Sequence, residues 1–206
     1  MIQMIQMKHL FEYFNEVFVR YWDEHALTDY NGTVDYTFGE LAEQIARVGL
    51  LLKKLGVEPG DKVAICSRNC ANWGVTYLAI AAYGAVIVSI LQDFTPDDVM
   101  HLTNHSDAKV LFVGPFVWRN FSHERAVLEE KMPQVKAIVQ INDFSTIYQK
   151  RGEMVVGGIE DVKEDFQKTY PNGFGKEDVH YRTDNLDDLL LINYTSGSTG
   201  APKGVM

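Results

Sequence analysis

The chain has 206 residues, enough for one sizeable hydrophobic core or two small ones, and its 46% hydrophobic and 23% charged content is ordinary for a globular protein. A net charge of −9 argues against non-specific nucleic-acid binding, which needs a basic face. Two cysteines, Cys66 and Cys70, do not make a disulfide framework, and the Met1–Met7 stretch lacks the basic-then-apolar form of a secretory leader, so a reducing, cytoplasmic setting is expected.

The elements follow in order. Met7 to Glu24 places Leu10, Phe11, Phe14, Val17, Phe18 and Tyr21 at helical spacing, which predicts an amphipathic helix. Ala26 to Phe38 reads as a hairpin turning at Asn31-Gly32, the favoured two-residue signal. Thr37-Phe38-Gly39-Glu40 is a capping box. It opens a helix carrying Leu41, Ile45, Val48, Leu52 and Leu55 on one face, with Gly56 as its stop. After the turn at Glu58–Asp61, Lys62 to Cys66 is a strand, Ala71 to Tyr83 a helix and Ala85 to Leu91 a strand. Gly74 to Leu91 carries no charge and is long enough to cross a bilayer. The break at Tyr83-Gly84 and the β-branched run after it fit a buried helix, a glycine stop and a buried strand instead, so no transmembrane segment is expected.

Thr95-Pro96 is a helix start, with threonine as the cap and proline in the first turn; the helix runs to about Ser106. Lys109 to Val113 is a strand, Pro115 to Lys131 mostly helix, and Val135 to Ile141 a strand. Strands separated by helices of this length predict a layered α/β/α arrangement around a mostly parallel sheet. Residues 1–27 form an N-terminal helix unit, 28–151 an α/β subdomain, 152–187 a turn-rich, acidic surface excursion with a helix around Val162 to Thr169, and 188–206 a strand with the loop that follows it.

That loop carries the chemistry. The apolar run Leu189-Leu190-Leu191-Ile192 suits a strand buried on both faces of a parallel sheet. It leads into Tyr194-Thr195-Ser196-Gly197-Ser198-Thr199-Gly200-Ala201-Pro202-Lys203-Gly204. Glycines let the backbone turn sharply and approach a ligand, successive N–H groups make an anion-binding concavity, hydroxyls add donors and Lys203 adds charge. The target is a phosphate. The pattern is not Walker A, which needs Lys followed by Ser or Thr. A flexible linker is the plainer reading of a Gly/Ser/Thr run, but linkers rarely carry Pro-Lys-Gly after a buried strand.

Other clusters are weaker. Asp97, His101 and His105 are four apart and share a helical face; two His and one Asp could hold a metal, while a solvated polar face explains them as well. Cys66 and Cys70 read as core thiols. His9, His25, His123 and His180 have no readable catalytic partner, and Trp73 and Phe38 read as packing residues.

The loop resembles the Ser/Thr-Gly-Ser/Thr-Thr-Gly-x-Pro-Lys-Gly signature of the adenylate-forming superfamily, which holds acyl-CoA synthetases, luciferases and peptide-synthetase adenylation domains. The likeness extends through Tyr36-Thr37-Phe38-Gly39-Glu40-Leu41, Gly60-Asp61-Lys62-Val63-Ala64-Ile65 and the Asn69/Trp73 pair. Gly84-Ala85-Val86-Ile87-Val88 and His105-Ser106-Asp107-Ala108-Lys109-Val110-Leu111-Phe112-Val113 look most like the long-chain fatty-acyl branch. The resemblance implies a long-chain fatty-acid CoA ligase using ATP, Mg2+ and coenzyme A, with the chain as an incomplete, N-terminal part of its large domain. It implies that Thr195, Ser196, Gly197, Ser198, Thr199, Gly200 and Lys203 hold the β- and γ-phosphates, with Thr195 near Mg2+. Alternatives are another adenylating enzyme, for aryl or amino acids, and a non-catalytic phosphate-binding α/β module. The chain alone is expected to be inactive in adenylation, to self-associate through an uncovered sheet edge, and to permit transient membrane contact where the substrate is a fatty acid.

Overall fold

A computed structural model describes residues 9–121, 125–182, 186–195 and 203–205. The first helix, α1 (Leu10–Arg20), is fixed at its start by a reciprocal cap. The Phe11 N–H donates to His9 Nδ1 at 3.2 Å and the His9 N–H donates to Glu12 Oε1 at 3.1 Å, satisfying donors that a helix start leaves orphaned. Its buried Phe11 and Phe18 pack edge-on against Phe14, Phe38 and Tyr181, with the Phe11–Tyr181 pair tilted. Strands β1 (His25–Thr28) and β2 (Asp35–Thr37) form the expected antiparallel hairpin, but its loop is wider than a two-residue turn. Asn31-Gly32 lies inside it, with Gly32 at φ +68. The cause is Asp29, whose carboxylate accepts from the Ala71 N–H at 2.6 Å and caps a distant helix.

Helix α2 (Phe38–Lys54) begins at the predicted box: the Glu40 N–H donates to Thr37 Oγ1 and the Thr37 N–H to Glu40 Oε2. Leu41, Ile45, Val48 and Leu52 are buried along one stripe. Then come β3 (Lys62–Cys66), α3 (Ala71–Tyr83), β4 (Val86–Ser89), α4 (Pro96–His105) and β5 (Ala108–Val113). The predicted Pro115–Lys131 helix is split into α5 (Pro115–Asn120) and α6 (Arg125–Lys131), because Phe121 leaves the helical conformation (φ −74, ψ 152) to sink into the core. After β6 (Ala137–Gln140), the end of the α/β subdomain adds a strand that the sequence pattern did not announce, β7 (Thr146–Gln149), and the excursion holds the expected helix α7 (Lys163–Thr169) behind a 3-10 turn. The chain returns through β8 (Leu191–Thr195) and β9 (Lys203–Val205).

Seven strands form the main sheet in the order β7-β6-β5-β3-β4-β8-β9. The four inner pairings, β6/β5, β5/β3, β3/β4 and β4/β8, are parallel; β7 and β9 close the two flanks antiparallel. The layered α/β/α expectation is met, and the strand periodicity accounts for it. Val63 and Ile65 of β3 face a core built with α2 and α3, while Ala64 and Cys66 face a second core built with α4 and α6. Both sets are fully buried, as a parallel sheet sandwiched between helices requires. The uncharged Gly74–Leu91 stretch resolves into the rest of α3, a left-handed Gly84 at φ +83, and β4. Among the described residues no helix is long and apolar enough to cross a membrane.

One expectation needs correcting. The strand before the glycine loop is not buried on both faces of a parallel sheet: only Tyr194 of β8 is buried, and Asn193 and Thr195 are exposed. It lies near the sheet flank, between a parallel neighbour and a short antiparallel one.

Candidate functional site

Strand β8 runs parallel to β4 with Ile87, Val88 and Ser89 opposite Leu191, Ile192 and Asn193. It therefore ends, at Thr195, on the same side as the carboxyl ends of β3, β4 and β5. In open α/β sheets that side is where ligands bind, outside the strand ends. The strand order reverses between β3 and β5, with β4 between that point and β8: β3 leads through α3 to β4 on one side and β5 leads to β6 on the other.

Strand β9 brings the chain straight back. Asn193 pairs with Val205, Tyr194 with Gly204 and Thr195 with Lys203. Thr195 and Lys203, at the two ends of the predicted phosphate loop, are thus held opposite each other as the last pair of a hairpin stem. Ser196, Gly197, Ser198, Thr199 and Gly200 lie outside the described residues. Close packing defines the stem: a Cβ added at Gly204 would lie 3.2 Å from Tyr194 Cε1 and 3.4 Å from Ile192 Cγ2. The tyrosine ring covers the glycine, and Tyr194 is only 3% exposed.

The hydroxyl of Tyr194 is held from the helical layer. Its Oη lies 2.8 Å from His105 Nδ1, at the last turn of α4. Nothing in the sequence points to this contact: there His105 belongs to a possible metal face and to the segment that resembles the long-chain branch. The other two members of that face do not join it. Asp97 is paired with Lys131, and the His101 ring is 6.0 Å from the His105 ring, centroid to centroid. Among the described residues no group of three or more His, Cys, Asp or Glu side chains gathers as a metal site. Thr195 offers an exposed hydroxyl, which suits a single position in a cation's shell and no more; Mg2+ expects carboxylate, phosphate and water oxygens besides.

The cysteines sit where a core reading puts them. Cys66 is fully buried, its S–H donates to the Leu91 carbonyl at 3.7 Å, and burial pushes its thiol up to about 12. Burial also raises Cys70, at the start of α3. Neither is a thiolate nucleophile at neutral pH. His9 caps α1, and His25 is paired with Asp35 at 3.1 Å. Phe38 packs on Phe18, and Trp73 stacks on Tyr77 at 5.2 Å between ring centroids. A cavity of 350 Å³ opens beyond β3 and β5, lined by Ser67, Arg68, Cys70, Asn72, Pro115 and Asn142 among others.

Comparison with known proteins agrees with this architecture. A family model described as AMP-binding enzyme matches residues 14–206. The chain is 30% identical over 177 residues to an acetyl-coenzyme A synthetase of Pseudoalteromonas atlantica, covering 82% of this chain and 26% of that protein. It is 25% identical over 206 residues to the long-chain-fatty-acid–CoA ligase heimdall of Drosophila melanogaster, covering 95% of this chain and 29% of the relative. Among solved structures, a natural red emitting luciferase from Phrixothrix hirtus superposes with a TM-score of 0.74 at 17% identity, over 99% of this chain and 37% of that one. The chain spans 24–31% of the length of the curated relatives it matches. With the motif, the sheet order and the matched span in agreement, this chain belongs to the AMP-binding enzymes, the adenylate-forming superfamily.

Proposed function

We propose that the protein carrying this chain is an ATP-dependent acyl-CoA synthetase whose acid is a long-chain fatty acid. In the first step a carboxylate oxygen attacks the α-phosphorus of ATP, the bond to the β-phosphate oxygen breaks, and pyrophosphate departs. In the second the thiol of coenzyme A attacks the acyl carbonyl and AMP leaves. The departing phosphates gather negative charge, so the protein's task is to stabilise it. On this reading Thr195, Ser196, Gly197, Ser198, Thr199, Gly200 and Lys203 grip the β- and γ-phosphates through hydroxyls, backbone N–H groups and one ammonium. Mg2+, when bound, neutralises phosphate charge, and the Thr195 hydroxyl supplies one of its ligands.

The observation that carries the reading is the hairpin stem. It sets Thr195 opposite Lys203 at the carboxyl end of a parallel sheet, and the glycine-hydroxyl run lies between them. The choice of acid rests on less. The Gly84–Val88 and His105–Val113 segments resemble the long-chain branch, and the Drosophila ligase aligns along 95% of the chain. Acid-dependent exchange of labelled pyrophosphate into ATP by the intact protein, run with acids of increasing length, tests both parts. Exchange that rises with chain length is expected; exchange with acetate or an aryl acid alone would replace the fatty acid with that class. Lys203→Ala combined with Thr199→Ala should lower exchange by at least about a hundredfold, the loss typical of one preorganised donor to a developing charge. Full turnover in that double variant would remove the phosphate-grip reading.

A further inference from the structure

We propose that His105 is a positioning residue for the phosphate loop, acting through Tyr194. The proposal deepens the adenylation reading and rests on it for its kinetic consequence, though not for its structural one.

Three observations meet at this point. First, the two residues are 89 positions apart in sequence, yet His105 Nδ1 and Tyr194 Oη are 2.8 Å apart and the rings cross at 78°. Second, Tyr194 touches both halves of the loop stem. It directly precedes Thr195 on β8, and its ring lies on Gly204, its own cross-strand partner on β9. Anything that tilts that ring shifts the pairing that sets Thr195 opposite Lys203. Third, the support behind His105 is stiff. The Ser106 N–H donates to the Leu102 carbonyl at 3.0 Å, and Asp107 takes the left-handed conformation, φ +58, to turn the chain into β5. That conformation is uphill for a residue with a Cβ and persists only where the surroundings impose it. Strand β5 follows at once, with Ala108, Val110, Leu111, Phe112 and Val113 fully buried. The path from the sheet centre to the loop thus runs through β5, the end of α4, one hydrogen bond and one aromatic ring.

This gives His105 a use that the face it shares with Asp97 and His101 did not disclose. Loosening the stem leaves the loop's donors in place but makes ATP binding order them first. That cost is common to the ground and transition states, so the KM for ATP should rise and kcat stay nearly unchanged. A residue that only helps the chain fold would instead lower the active fraction, and so the apparent kcat, with KM unmoved.

The test uses His105→Ala, Tyr194→Phe and their combination in the intact protein. Each single change should raise the KM for ATP about three- to tenfold, the range one hydrogen bond of ordinary net strength supplies. The double variant should rise no further, because both changes remove the same contact. His105→Gln, which keeps a hydrogen-bonding group within reach of the hydroxyl, should recover part of the loss. Amide exchange read by mass spectrometry over residues 191–195 and 203–205 should quicken in both singles and stay unchanged over residues 108–113. An unchanged KM with unchanged exchange would overturn the proposal, as would multiplying losses in the double or a fall confined to kcat. Should His105→Ala fail to fold, Tyr194→Phe and His105→Gln carry the same comparison. If the wild-type protein shows no acid-dependent pyrophosphate exchange, the adenylation reading falls, and the amide exchange still decides whether His105 pins the stem.

Discussion

Gly204→Ala is the smallest change that challenges the loop stem. The new Cβ would sit 3.2 Å from Tyr194 Cε1, 3.4 Å from Ile192 Cγ2 and 3.5 Å from Tyr194 Cζ, where carbon pairs prefer roughly 3.5–4.0 Å. Something must move by a few tenths of an ångström. Tyr194 is the wrong group to ask: it is 3% exposed and its hydroxyl is tied to His105. Overpacking of this kind costs about 1–3 kcal/mol. Removing a glycine's freedom from the unfolded chain returns about 0.4–1 kcal/mol. The balance is a destabilisation of about 1–2 kcal/mol, near the lower end if β9, a three-residue strand at the sheet flank, lifts instead of the ring. In a cooperative unit of this size that lowers Tm by about 2–8 °C, and by less where the unit that melts is larger. Because the overlap falls on the stem, the KM for ATP should rise as well. Calorimetry and pyrophosphate exchange on the intact protein check both. The cost should also shrink in the His105→Ala background, where the ring is free to yield. A variant with wild-type Tm and wild-type KM would mean that Tyr194 is not confined, and the stem argument would fail with it.

Two further predictions concern the scaffold. Asn72 of α3 ties β2 to the turn after β6: it accepts from the Tyr36 hydroxyl at 2.9 Å and donates to the Asn142 carbonyl at 3.0 Å, at 6% exposure. Asn72→Ala strands both partners and should cost about 2 kcal/mol, two ordinary hydrogen bonds; a thermal shift indistinguishable from wild type would show that water replaces both. Cys66 makes stability depend on alkali. Its thiol holds its proton to about 12 in the fold against an ordinary 9.0, so the folded state binds that proton more tightly than the unfolded one. The contribution is complete below pH 9 and drains away between 9 and 12, with about 1–2 kcal/mol gone by pH 10. The advantage of wild type over Cys66→Ala should therefore narrow above pH 9, and a constant difference would contradict the burial argument. Alkylation near pH 8 followed by peptide mapping should label Cys70 well before Cys66.

Much of this fold could be read from the chain because local chemistry decides it. Thr37 with Glu40, Thr95 with Pro96, and Gly84 after Tyr83 each satisfy or terminate a helix within a few residues, so α2, α3 and α4 begin or end where the pattern puts them. The elements that escaped are those whose cause lies elsewhere in the chain. β9 is three residues, Lys-Gly-Val, with one strand-favouring side chain and a glycine; it is a strand because β8 offers it a ladder. The β1–β2 loop is wide because Asp29 is needed at the start of α3, and α5 stops because Phe121 has a core to enter.

The site divides along the same line. A glycine-hydroxyl-lysine run declares its affinity for phosphate by composition, and no tertiary knowledge is needed to see it. What holds such a run in register is a different kind of fact. Periodicity could place Asp97, His101 and His105 on one helical face, but it says nothing of what that face meets. That is settled by the layering: α4, on its way from β4 to β5, packs on the sheet face where Tyr194 of β8 is also buried, and His105 meets the tyrosine hydroxyl within that layer. Two side chains with no sequence relation are joined by the layer they share. If that one contact is the cause, residues elsewhere on α4 should be indifferent to ATP. His101→Ala, four residues away on the same face, should leave the KM for ATP and the exchange of residues 191–195 at wild-type values. An effect as large as that of His105→Ala would show that the whole helix face, and not the one contact, steadies the loop.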